Sequence, residues 1–137
     1  GEICIKSPML MKGYLNQPTL KNGFRTGDLG YLDADGYLYL LNRRHDIIIS
    51  GGENIYPQEI EELLYQLDDI SECAVIARAD SVWGQIPVLH YVGKLTENEI
   101  RDYLSDKLAK FKQPKIIVSA DKLPKNPAGK ILRKDLH

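Results

Sequence analysis

The chain has 137 residues, with 18 Lys+Arg against 19 Asp+Glu, a net charge of −1, and 43% hydrophobic and 27% charged residues. This is the balance of an ordinary folded chain, long enough to bury roughly two thirds of its unfolded surface without staples. It speaks against a broad nucleic-acid or anionic-membrane footprint, and no apolar run approaches spanning length.

In chain order, Glu2–Lys6 alternates polar and apolar residues, the period of a half-buried strand. The chain opens on Gly1 and enters this run at once, so it is expected to come from the inside of a larger protein. Cys4 and Cys73 stand far apart in no metal-ligand spacing, and His45, His90 and His137 are scattered. No metal is expected on these residues, and isolated thiols fit a reducing, cytoplasmic compartment. Pro8, Gly13, Pro18 and Gly23 break up a loop over 9–23. Tyr31–Leu41 reads as a hairpin turning on Asp33-Ala34-Asp35-Gly36.

From Arg43 the texture changes. An isoleucine run (47–49) feeds Ser50-Gly51-Gly52, and Pro57 suits a first helical turn. Ile60, Leu63, Leu64 and Leu67 then follow helical spacing, with Glu59, Glu61 and Glu62 in the half that favours anions. Cys73–Ala77, Ile86–Val92 and Lys115–Ser119 read as strands. Between the last two, Thr96–Glu99 is a capping box opening a helix with Ile100, Tyr103, Leu104 and Leu108 on one face. Lys107, Lys110 and Lys112 are expected at that helix's cation-favouring end. A Pro/Gly loop over 123–130 and a brief terminal helix close the chain. The elements predict an α+β fold: a small mixed three-stranded sheet with helices, preceded by short β strands.

Five segments, FRTGDLG (24–30), NRRHDIIISGGENIYPQEIEELL (42–64), DSVWGQIPV (80–88), LAKFKQPK (108–115) and LPKNPAGKILRKDL (123–136), together resemble the C-terminal third of acyl-CoA synthetases. These belong to the adenylate-forming superfamily. ISGGENIYP with DSVWGQ is similar to the acyl- and aryl-CoA ligase branch, and within it most similar in wording to the o-succinylbenzoate–CoA ligases of menaquinone synthesis. The resemblance implies two steps. A carboxylic acid and Mg²⁺-ATP give acyl-adenylate and pyrophosphate, and coenzyme A then takes the acyl group and releases AMP. It further implies terminal strands of a large domain (1–42), a hinge (43–46) and a C-terminal lid domain (47–137) that turns between the steps. Mg²⁺ and the acid would be held mainly by the missing N-terminal domain, so the isolated piece is expected to be inactive.

Residue by residue, the resemblance gives Asp28 and Arg43 to the nucleotide, and His45 to the hinge, where many relatives carry Asp or Lys. It gives Gly51, Gly52, Trp83, Phe111 and Lys115 to coenzyme A, and Lys130 to catalysis as the cation that offsets charge during adenylation. Each has a plainer reading. Asp28 alone is a turn residue after Gly27, Arg43 a surface ion-pair partner, and Gly51-Gly52 a bulge. Trp83 and Phe111 are core or rim aromatics, and Lys130 is a solvated loop lysine beside Lys125 and Lys134. Another acyl- or aryl-CoA ligase acting on a fatty or benzoic acid, an adenylation domain that loads a carrier protein, and a non-catalytic interaction module remain open.

Overall fold

The computed structural model describes residues 1–43 and 46–137, with backbone alone for 41–43. The chain divides into two compact units, Gly1–His45 and Asp46–His137. His45, expected at the hinge, lies outside the described residues.

Unit 1 is an antiparallel sheet in the order β1 (Glu2–Ile5), β2 (Phe24–Leu32), β3 (Leu38–Arg43). The expected hairpin joins β2 to β3, with Leu32 opposite Leu38. Its turn is closed by the Asp33 carboxylate, which accepts from the N–H groups of Asp35 (3.0 Å) and Tyr37 (2.8 Å). The Tyr37 bond, ahead of the others, holds the Asp33 carboxyl below its usual range. The TGD segment has an origin that its sequence did not suggest. Glu2 pairs with Leu29 and Cys4 with Arg25, so Thr26, Gly27 and Asp28 together face Ile3 alone. That is a bulge inside β2, bent at Gly27 (φ 78°). The Thr26 hydroxyl braces it, donating to Ile3 O (3.1 Å) and accepting from Asp28 N–H (3.0 Å). Leu32, Leu38 and Leu40 are more than half exposed on this single-layer sheet.

Unit 2 contains β4 (Ile48–Ser50), β5 (Glu53–Ile55), α1 (Pro57–Leu64), β6 (Ile70–Asp80), β7 (Gly84–Gly93), α2 (Glu97–Ser105) and β8 (Ile116–Ser119). A 3₁₀ turn over Arg133–Asp135 stands where a terminal helix was expected. The fold is α+β and the sheet mixed, with β8 parallel to β7 and the other pairs antiparallel. It has five strands, two more than expected, because the isoleucine run folds back on residues 53–55. Gly51 (φ 59°) and Gly52 (φ 88°) form that two-residue turn, whose paired positive φ values match the twist of a tight hairpin.

The two helices cover one face of the sheet. Ile60 and Leu64 of α1, Ile100 and Leu104 of α2, and Leu89 and Tyr91 of β7 share one buried cluster with Leu108. On the opposite face Ala74 packs with Leu123 and Leu136 from the C-terminal tail. The Thr96 capping box forms as expected. Lys107, Lys110 and Lys112 lie beyond the helix, which ends at Ser105, so they are not last-turn cations.

His90 lies opposite Ala74, on the tail side, 5% exposed, and its Nε2 has no partner among the described residues. Burial, with the charges of Arg78 and His137, holds its imidazole below the ordinary histidine value. An unfolded histidine titrates near ~6.5, so on acidification the unfolded chain takes up this proton first. Stability is therefore present above about pH 6.5 and declines below it. Urea unfolding at pH 7.5 and 5.5 should give a lower midpoint at 5.5, and His90→Leu should reduce that difference.

Candidate functional site

The sharpest sequence candidate, Lys130, sits on a small braced hairpin. Lys125 bridges to Ile131, and Leu132 N–H donates to Pro124 O (2.8 Å). Inside this frame the Asn126 side-chain oxygen accepts from Ala128 N–H (3.0 Å) and Lys130 N–H (2.9 Å). Gly129 takes φ 80°, which a glycine adopts without Cβ strain. Lys130 is exposed, and its ammonium has no partner among the described residues. Its neighbour Lys125 is committed, with Nζ 2.7 Å from Glu72 Oε1.

An ion pair with a buried carboxylate fastens the far end of this hairpin. Glu61 is 7% exposed. Its carboxylate accepts from Arg133 Nη1 (2.6 Å) and Nη2 (2.8 Å) and from Val75 N–H (2.6 Å). Arg133 Nη1 also donates to Val75 O (2.8 Å), so helix α1, strand β6 and the tail meet at one point. The bond to Glu61 outweighs burial and raises the Arg133 guanidinium above its ordinary value. Burial first, then the Glu61 charge, push the Cys73 thiol up to about 12, so it stays protonated and inert at neutral pH.

A cleft of about 480 Å³ is lined by Ser50, Gly51, Glu53, Trp83, Lys110, Phe111 and Lys115. Four of the five residues expected at coenzyme A are therefore gathered from separate segments. Gly52 is not among them; it points into open space. Asp80 sets the Trp83 turn, its carboxylate accepting from Val82 N–H (2.9 Å) and Trp83 N–H (2.8 Å). Those bonds, Trp83's the larger, hold Asp80 below the usual carboxylate range. Trp83 O in turn accepts from Gly51 N–H (2.9 Å). Lys115 Nζ lies 5.7 Å from the indole centroid. Arg101 of α2 holds its segment by donating to Pro114 O (3.0 Å) and Lys115 O (3.2 Å). Trp83 is 51% and Phe111 40% exposed, so neither is a core aromatic. An aromatic wall beside two cations suits a planar base with phosphates.

In unit 1, Asp28 lines an open hollow with Tyr14, Phe24, Thr26 and Gly27. The β2–β3 register sets Arg43 directly opposite Asp28. The two nucleotide candidates are thus cross-strand neighbours, although the Arg43 side chain lies outside what is described. The Trp83 wall of the cleft and the Lys125 anchor of the Lys130 hairpin, both in unit 2, lie toward opposite ends of β7. Trp83 precedes Gly84, whereas Glu72, the anchor of Lys125, pairs with Val92. Eight residues of strand separate those points, about 26 Å at ~3.3 Å per residue.

A family model for the AMP-binding enzyme C-terminal domain matches residues 59–130, more than half of the chain. The chain belongs to that family. It is 59% identical over 136 residues to a 2-succinylbenzoate–CoA ligase of Lactococcus lactis, covering 99% of this chain and 30% of that protein. An o-succinylbenzoate CoA synthetase from Bacillus subtilis, in complex with its acyl-adenylate intermediate, superposes with a TM-score of 0.91 at 42% identity, over 99% of this chain and 30% of that one. The same enzyme with ATP and magnesium gives 0.88 at 41%, with equal coverage. The chain thus spans about 30% of the length of these relatives.

Within this AMP-binding C-terminal domain, sequence reasoning missed the Glu61–Arg133 pair, although a signal was present. The buried positions of α1 are Pro57, Ile60, Glu61 and Leu64, which is i, i+3, i+4, i+7. Glu61 therefore stands on the apolar stripe, where an acid requires a buried partner. Gly51 also shapes the cleft through its missing side chain. A Cβ there would meet the Trp83 ring at 2.7 Å, so the bare backbone seats the indole. Gly51→Ala should destabilise by about 1–3 kcal/mol from the positive φ and that clash, and shift the emission of the chain's single tryptophan. Gly52→Ala, with nothing within 4 Å, should leave the emission unchanged.

Proposed function

We propose that this chain is the C-terminal part of an AMP-forming acid–CoA ligase, acting on 2-succinylbenzoate on the route to menaquinone. The gathering of Gly51, Trp83, Phe111 and Lys115 around one cleft, apart from a braced and exposed Lys130, is the observation that supports this assignment most directly. The identity to 2-succinylbenzoate–CoA ligases across nearly the whole chain supports the substrate.

In the first step the substrate carboxylate attacks the α-phosphate of ATP, giving acyl-adenylate and pyrophosphate. Lys130 supplies a fixed cation where negative charge concentrates. Magnesium, held mainly by the portion of the protein preceding this chain, screens the phosphates. Asp28 accepts from the ribose hydroxyls, its two oxygens suiting two adjacent donors, and Arg43 contacts neighbouring oxygens. In the second step the coenzyme A thiol attacks the acyl carbon and AMP leaves. The nucleotide end of coenzyme A packs on Trp83 and Phe111, with Lys115 toward phosphate. Residues 1–42 act as strands of the large domain, their exposed leucines suited to a covering layer. Residues 43–46, with His45, form the hinge about which 47–137 turns between steps. The free thiols Cys4 and Cys73 suit the cytoplasm.

In a full-length enzyme carrying this chain, Lys130→Ala should slow pyrophosphate release with 2-succinylbenzoate by about 100-fold or more, sparing thioester formation from supplied acyl-adenylate. Trp83→Ala should instead raise KM for coenzyme A. The chain alone should form no thioester. An unimpaired Lys130→Ala enzyme, or preference for another acid in a panel of aromatic and aliphatic acids, would sink the corresponding part of the proposal.

A further inference from the structure

Helix α1 carries Glu59 and Glu61 two positions apart, which at ~100° per residue sends them toward opposite flanks. Each holds a different piece of the domain. Glu59 accepts from Lys112 Nζ through both oxygens, at 2.7 and 2.8 Å. Lys112 directly follows Phe111, a wall of the cleft. The turn around Phe111 is otherwise tied locally, by Lys112 N–H to Ala109 O (2.9 Å) and the Gln113 amide to Leu108 O (3.2 Å). Glu61 grips Arg133, three residues after Lys130, at the foot of the other hairpin.

We propose that α1 is the common frame of the two half-reactions. Glu61 is a positioning residue for adenylation, acting through Arg133 on the Lys130 hairpin. Glu59 is a positioning residue for thioester formation, acting through Lys112 on Phe111. This rests on the roles given above to Lys130 and to the cleft. The two arms differ in strength for a physical reason. The Glu61–Arg133 contact is two-pronged and shared with Val75, and the Glu61 side chain is 9% accessible although that of Arg133 is 34%, so it fixes the hairpin closely. A displacement of about 1 Å at a catalytic group costs on the order of 100-fold in rate. The Glu59–Lys112 pair is partly exposed, with side chains 39% and 25% accessible. It is screened by solvent, so its loss should loosen binding modestly rather than abolish a step.

The test uses a full-length enzyme carrying this chain, with the two half-reactions assayed separately. Glu61→Gln should lower kcat for adenylate formation at least about tenfold, with KM for ATP and acid and the rate from supplied acyl-adenylate within about twofold. Glu59→Gln should raise KM for coenzyme A about threefold and leave adenylate formation within about twofold. Glu62→Gln, on the exposed side of the helix where the side chain meets Gln58, is the control and should change neither step. Equal losses in both steps from either variant, or normal adenylation in Glu61→Gln, overturns the division of labour. If Glu61→Gln fails to fold, Arg133→Lys, which keeps the charge but gives up the fork, is judged by the same criteria. Lys130→Ala run in parallel separates the failures. A defect there without one in Glu61→Gln or Arg133→Lys sinks the positioning role alone, whereas an unimpaired Lys130→Ala sinks the role of the hairpin itself.

Discussion

Unit 2 depends on one buried carboxylate. Glu61 stands on the apolar side of its helix, and removing such a charge from water is costly unless its lone pairs are filled. Three donors from two distant segments fill them: both terminal nitrogens of Arg133 and the backbone of Val75. Because an unpaired carboxylate there would be strongly unfavourable, the tail is obliged to return to β6, crossing 72 residues of sequence to do so. The small apolar cluster of Ala74, Leu123 and Leu136 then closes around the returning chain. The Lys130 hairpin inherits its position from that obligation.

The cleft depends on contacts of another kind. Apart from Ser50 its lining is largely exposed, and its shape comes from backbone bonds at strand ends. Asp80 caps the turn that presents Trp83, Trp83 O receives Gly51 N–H, and Arg101 holds the carbonyls before β8. The absent side chain of Gly51 is filled by the indole itself, so the glycine shapes one wall by letting the other approach. In unit 1 the bulge at Thr26–Asp28 works similarly. A local break in the β1–β2 ladder holds Asp28, and a second irregularity between Leu29 and Gly30 follows in the β2–β3 ladder.

Having both devices in one domain suits a lid that serves two steps. In the proposed two-step reaction, the Lys130 hairpin and the cleft would be presented in turn by rotation of the domain. The cation and the aromatic wall then need not compete for one position. Lys125, adjacent to the tip, is withdrawn from such work by its pairing with Glu72, leaving Lys130 as the available ammonium at that hairpin.

Local interactions were legible in the sequence. The start of α1 at Pro57, the Thr96–Glu99 capping box, the Asp33 hairpin and the loop over 9–23 all depend on residues within a few positions of one another, and each formed where expected, although α1 ends at Leu64, before Leu67 of the expected stripe. The motifs likewise nominated Trp83, Phe111, Lys115 and Gly51 before any geometry gathered them. Tertiary structure alone decided which of three neighbouring glutamates is buried, that β8 joins β7 in parallel, and that residues 48–55 form a hairpin. It also showed that TGD is a bulge opposite Ile3. Those outcomes turn on partners tens of residues away, such as Arg133 for Glu61 and Lys112 for Glu59. A residue's own neighbours specify its conformation, but only the folded chain specifies what its charge will meet.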